Sequence, residues 1–240
     1  MHILKRIASL SVVLIGAAAV SMSSAMLSTA VVAKEVRVGP VTLLLASPPG
    51  YCELDIDQIV DARAVSLTER MLSTNRLLGF SADCEQLAKY RATKGATPLD
   101  NILQYQTLVG WEHRQLPGPP EAVIKSLCEQ MRSHSEKLAF ATTPEIVARA
   151  EQVLKDVRIN RIQTLGVVGE DPLACYLASL KKFSAADGIE KAQVIVFAAT
   201  IINFKIIYCY VYAPYTSSDT LADTLKQLRS NVAALWSANR

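Results

Sequence analysis

Histidine is almost missing from this chain. Its 240 residues hold three, against 25 Lys and Arg and 22 Asp and Glu. Of these, only His113 and His134 fall outside the N-terminal apolar segment. Two histidines cannot build a zinc site without carboxylates, and no spacing in the chain nominates any. His113 follows Trp111-Glu112 in a loop-like stretch, and His134 falls on the polar side of a helix pattern, so both read as surface residues. A Cys128–His134 dyad would need one helical face, but six residues place them about 240° apart around the axis.

CxxC is also missing, which removes thioredoxin-like motifs and zinc ribbons. So are the nucleophile elbow G-x-S-x-G, the phosphate loop and the dinucleotide fingerprint G-x-G-x-x-G. Ser179-Leu180-Lys181-Lys182 matches S-x-x-K in form, yet no S-D-N or K-T-G accompanies it, and the motif needs a helix where a strand is expected. No Lys/Arg run supplies an electrostatic footprint for nucleic acid. The expectation is therefore no catalytic residue, no metal and no cofactor.

What is present begins with a secretory layout. Lys5 and Arg6 precede an apolar stretch over 7–20, and small residues lead to Val31-Val32-Ala33. That order predicts a signal peptide over 1–33 cut after Ala33, with Ala30 and Ala25 as alternative sites. No Cys lies at the boundary to take a lipid anchor. The competing reading is an uncleaved anchor, since no charge interrupts 7–33, but its second half is rich in Ser, Thr and Ala rather than Leu and Ile. Cleavage leaves 23 basic residues against 22 acidic ones, a nearly neutral domain over 34–240. Membrane contact is expected only through that segment if it is retained.

All five cysteines lie beyond it, which in an oxidising compartment allows two disulfides and one leftover thiol. Cys209 sits in an apolar run and is the expected leftover. Cys52 and Cys84, in polar turn-rich surroundings, are the first candidates for a bridge, although spacing does not fix connectivity.

Along the chain, Val36–Val38 and 41–45 read as short strands around Gly39-Pro40. Asp55 or Asp57 is placed to cap a helix with Ile56, Val60, Ala64, Leu67 and Met71 on one face. Strands are expected over 76–82 and 101–109, with a short helix at most over 83–95. Pro117 to Pro120 break the chain before a helix carrying Ile124, Leu127, Met131 and Leu138, and Pro120 suits its first turn. Thr143 caps a further expected helix with Ile146, Ala150, Val153 and Val157 on one side.

From residue 162 the pattern turns to β. A strand is expected over 162–168. The stretch 173–183 fits a helix capped by Asp171 with Leu173, Leu177 and Leu180 on one face, but Asp187-Gly188, a turn dipeptide joining it to the next run, favours a strand. A run over 192–212, AQVIVFAATIINFKIIYCYVY, follows as two more, turning at Asn203-Phe204. This run is about long enough to cross a membrane, but Asn203 and Lys205 fall mid-span, where a charge is costly. With the two turns setting register, Cys175 lies opposite Thr200, and Thr200 opposite Ile207. Cys175 and Cys209 are then about 9–10 Å apart, beyond the ~7 Å that a disulfide tolerates. Ser217 or Ser218 caps a final helix striped by Leu221, Leu225, Leu228, Val232 and Leu235, with Trp236 beside them. Tyr208, Tyr210 and Tyr212 share one strand face. They read either as a stacking platform for a sugar or peptide or, preferentially, as packing under that last helix.

The fold class is α+β: a single domain with an antiparallel sheet, a meander near its C-terminus, helices packed on it and a C-terminal amphipathic helix. In layout, chiefly over 162–239, the chain resembles the PsbP/Mog1-like α/β/α sandwiches. That resemblance implies a binding or assembly-assisting role rather than catalysis. The functional expectation is a periplasmic or secreted non-catalytic protein that binds a protein or small-molecule partner, or supports an envelope assembly. An envelope hydrolase with its site near 83–110 and a purely structural domain are the alternatives.

Overall fold

The structure, a computed structural model, describes residues 33–133, 147–148, 151–152, 158–184 and 188–240. The expected signal segment falls outside these residues except for Ala33. The same holds for His134, Leu138 and most of the helix expected after Thr143.

A first hairpin, β1 (Ala33–Val38) and β2 (Val41–Ala46), stands apart as a two-stranded sheet. β3 (Tyr51–Glu53), β4 (Asn75–Asp83), β5 (Ile102–Leu108), β6 (Arg158–Asp171), β7 (Ala174–Ser184), β8 (Glu190–Ile202) and β9 (Lys205–Pro214) form a seven-stranded sheet. Its order is β3-β4-β5-β9-β8-β7-β6, antiparallel throughout, with β6–β9 as a consecutive meander. The helices are α1 (Ile59–Met71), α2 (Cys84–Ala92), α3 (Pro120–Ser133) and α4 (Ser218–Ala238). The chain thus has the expected α+β class, with the C-terminal helix in place.

β8 and β9 form because β-branched and aromatic residues fill both faces of a pleat. Their turn is Asn203-Phe204, with φ of 47° and 62°, so Phe204 adopts a left-handed conformation that bulky residues avoid. Thr200 pairs with Ile207 as expected, but Thr200 faces Ala174, and Cys175 lies opposite Ala199. The pairing of β7 with β8 is thus shifted by one residue from the expected register.

Alternation sends Ile207, Cys209 and Val211 to one face of the sheet and Tyr208, Tyr210 and Tyr212 to the other. α4 and β2 cover the aliphatic face. Leu228, Val232 and Leu235 are fully buried there with Leu43, Cys209 and Val211, at about 1.5–3 kcal/mol for each large side chain. Ser217 starts α4 through a capping box, its hydroxyl accepting from Asp219 N while Thr220 Oγ1 accepts from Ser217 N. At the far end Trp236 Nε1 donates to Thr200 Oγ1 at 2.8 Å.

The opposite face carries α3 at one end and α1 with α2 at the other, over separate clusters around Cys128, Met131 and Phe197, and around Phe80, Leu87 and Tyr90. Neither Asp55 nor Asp57 caps α1. Gln58 occupies that position without a side-chain bond, while Asp55 holds Asp57 N in a local turn. Ile56 lies outside the apolar face at 67% exposure, and the fully buried position is instead Asp61. Arg91, in the last turn of α2, reaches Asp61 at 2.6 Å and offsets that burial.

Lys205, the charge in the apolar run, is buried at 1% exposure. Its ammonium donates to Glu112 O and Arg114 O, each at 2.8 Å, and so pins the loop that follows β5. No helix among the described residues is long and apolar enough to cross a membrane. The run over 192–212 is two strands.

Candidate functional site

The tyrosines do not pack under the C-terminal helix, as their pattern suggested. That helix lies on the aliphatic side, because Ile207, Cys209 and Val211 offer the smoother surface for a leucine stripe. The tyrosine side is a mixed aromatic and amide face at the centre of the sheet. Tyr210 sits across from Gln104 on β5 and Phe197 on β8, and Tyr208 across from Gln106 and Ala199. Phe197 and Tyr210 stack at 5.1 Å, and Tyr210 and Tyr212 at 6.2 Å. Phe197 meets Tyr208 edge-on at 6.5 Å.

A chain of amides runs beside the rings. Asn75 Nδ2 donates to Gln106 Oε1, and Gln106 Nε2 to Gln104 Oε1, both at 2.9 Å. Tyr212 Oη lies 3.5 Å from that second acceptor. Gln104 and Gln106 are buried, and so is Tyr208, whereas Tyr210 and Tyr212 are only half-buried. Buried amides are retained only when bonded, and here they lock one another in place beneath two half-buried rings.

The chemistry of this face is neutral. Burial pushes the phenol of Tyr210 well above its ordinary range, with Tyr212 and Tyr208 adding to the effect. Burial likewise raises Tyr212 and Tyr208. Phenols so shifted stay protonated at neutral pH, so the face can stack and hydrogen-bond but does not exchange protons. At its edge Lys181, on β7, points to the same side. It is half-buried, and burial lowers its pKa.

Other residues singled out by sequence sit apart from this face. Ser179 is buried on β7, and a spacing of three on a strand sends Lys182 to the opposite side, so the S-x-x-K match makes no dyad. Cys52 and Cys84 are bonded to each other, with Cα atoms 4.9 Å apart. Cys128 is bonded to Cys175, which ties α3 to β7. Cys209 is a free buried thiol whose pKa burial pushes up, so it is not a nucleophile. His113 is exposed on the loop after β5. Among the described residues no cluster of His, Cys, Asp and Glu is arranged to hold a metal. The amide chain was invisible in sequence, because Asn75, Gln104 and Gln106 meet only through strand pairing.

No protein-family model and no curated protein matches the chain. Among solved structures, the Ran-binding protein Mog1p of Saccharomyces cerevisiae is similar at 11% identity and a TM-score of 0.30, over 87% of this chain and 90% of that one. The cyanobacterial PsbP of Synechocystis is similar at 14% identity and a TM-score of 0.29, over 80% of this chain and 83% of that one. The resemblance is weak and at the level of fold. Two disulfides suit an oxidising compartment.

Proposed function

We propose that this is a periplasmic or secreted, non-catalytic binding protein that takes a peptide or small-molecule partner on the tyrosine face. The observation that carries this reading is the pair of half-buried rings, Tyr210 and Tyr212, set over a bonded Asn75–Gln106–Gln104 chain. Aromatic rings on a rigid strand give contact area at little entropic cost, and neutral amides beside them give direction. Protonated phenols and amides favour recognition over proton transfer. The signal-like N-terminus and the two disulfides support export to an oxidising compartment.

Profiling the purified protein with serine- and cysteine-reactive probes separates this reading from an envelope hydrolase. The expected result is no site-specific labelling. Labelling of one residue, abolished by its substitution with Ala, would overturn the non-catalytic reading. Against a purely structural domain, Tyr210→Ala with Tyr212→Ala is expected to lose the bound partner while keeping the wild-type circular dichroism.

A further inference from the structure

Three large apolar side chains lie exposed at one end of the sheet: Val109 at 56%, Trp111 at 41% and Phe204 at 46%. The loop after β5 carries the first two, and the β8–β9 turn carries the third. That loop is tied to the turn, because Leu116 N donates to Phe204 O at 3.3 Å and Lys205 Nζ donates to Glu112 O and Arg114 O. Apolar side chains exposed singly need no explanation, but a fixed cluster of them marks a contact surface.

Phe204 is the unusual member. Its φ of 62° is a left-handed conformation that a bulky residue adopts only at a cost, and such strain collects at functional positions. Glycine would hold the same turn without strain, so the ring is kept against the local preference. Phe204 also borders a cavity of about 310 Å³, walled by Pro120, Ile202 and Trp236, with Asn239 and Arg240 at its edge. Trp236 Nε1 is committed to Thr200, and the Asn239 amide to Leu44 and Leu235, so the hollow offers apolar surface more than hydrogen bonds. A space of this size takes one side chain, which a peptide supplies and a flat bilayer surface does not.

The charge beside the cavity is positive. Arg114 is exposed, with its guanidinium 5.2 Å from the centroid of the Trp111 ring, and it forms no ion pair among the described residues. It stands two residues from Leu116, whose backbone touches that of Phe204, and two residues of chain span at most about 7 Å. Same-side neighbours of an extended peptide are also about 7 Å apart, so a peptide anchored in the cavity can bring its next side chain to Arg114. The acids at this end are already paired: Glu112 with Arg76, Glu170 with Arg132 and Asp171 with Arg229. Glu121 lies with Glu170 and Asp171 around a different hollow.

We propose that this end of the sheet docks an acidic peptide segment of a partner protein. The segment seats one apolar side chain in the cavity against Phe204 and Trp236 and sets a carboxylate beside Arg114, with Trp111 as the neighbouring contact. Trp, Phe and Arg are the side chains that protein interfaces favour. This surface is distinct from the tyrosine face and goes beyond the binding proposed there.

Calorimetric titration of the full chain with capped pentapeptides tests this, comparing Asp-Asp-Phe-Asp-Asp with Asp-Asp-Ala-Asp-Asp and Lys-Lys-Phe-Lys-Lys. The first is expected to bind tighter than either control by roughly tenfold or more. Arg114→Gln is expected to weaken it by roughly threefold, the range of one exposed ion pair, and Arg114→Lys to keep it. Phe204→Gly is expected to lose binding while its melting temperature holds or rises, because glycine relieves the turn. Tyr210→Ala with Tyr212→Ala is expected to leave this binding unchanged. Equal affinity for either control, or no binding of any peptide, would overturn the inference. A lower melting temperature in Phe204→Gly would show that the ring is kept for packing and would sink it as well. Loss of peptide binding in the double tyrosine variant would deny a separate site while leaving the tyrosine face standing. Co-sedimentation with phosphatidylcholine–phosphatidylglycerol vesicles, abolished by Trp111→Ala, would assign the cluster to a membrane instead.

Discussion

Asp61→Ala tests how α1 and α2 are held together. The carboxylate is fully buried and accepts from Arg91 Nη2 at 2.6 Å, from Arg91 Nε at 3.1 Å and from the backbone N–H of Asp55 at 2.9 Å. Removing it leaves the Arg91 guanidinium without its partner and the Asp55 N–H without an acceptor. Breaking one side of a buried pair costs about 3–5 kcal/mol. Arg91 keeps 31% of its side chain in contact with water, which places this case at the lower end. The expected loss is about 3 kcal/mol, or roughly 6–12 °C in melting temperature for a domain of this size. Urea unfolding of Asp61→Ala, Arg91→Met and the double variant measures the coupling, expected at about 2 kcal/mol because the double variant leaves no orphaned charge. Additivity of the two single variants to within about 0.5 kcal/mol would refute the reasoning.

Three further outcomes follow from the same packing. Graded reduction with alkylation and mass mapping should open Cys52–Cys84 first, because Cys52 is exposed, and Cys128–Cys175 only on global unfolding, because both its cysteines are buried; simultaneous opening would contradict this. Lys205→Met should cost about 1–3 kcal/mol and speed amide exchange in the loop after β5, since it orphans two carbonyls that the ammonium now satisfies; unchanged exchange would contradict it. Burial raises Tyr51 to about 12 and raises Tyr208 and Tyr210 as well, so the folded state keeps protons that the unfolded state releases above about pH 10. Stability should therefore hold below that pH and fall as pH rises through it, with Tyr51, Tyr208 and Tyr210 ionising only as the chain unfolds; ionisation of these three near pH 10 in the folded state would contradict it.

Much of the fold was legible because local pattern and tertiary packing agree. The stripe from Leu221 to Leu235 is the stripe that meets the sheet, and Asn203-Phe204 is the turn despite an unfavourable ring. Which side of β9 the last helix covers was not legible. Period-two alternation defines two faces, and both Ile207-Cys209-Val211 and Tyr208-Tyr210-Tyr212 are apolar enough to be buried. The choice falls to α4 and β2, which close on the aliphatic set from distant parts of the chain. β3 escaped because three residues show no periodicity, and its place is fixed by pairing with β4 beside the Cys52–Cys84 bond. The burial of Asp61 was not legible for a similar reason, since its partner lies 30 residues away on another helix.

The central claim is that the tyrosine side of the sheet, opposite α4, is where the protein meets its partner. A photoreactive phenylalanine analogue placed at Tyr212 tests it directly when compared with the same group at Asp223, an exposed position on α4. The account predicts a discrete adduct from position 212, competed away by added unlabelled protein, and none from position 223. Adducts from 223 alone, or equal adducts from both positions, would contradict it.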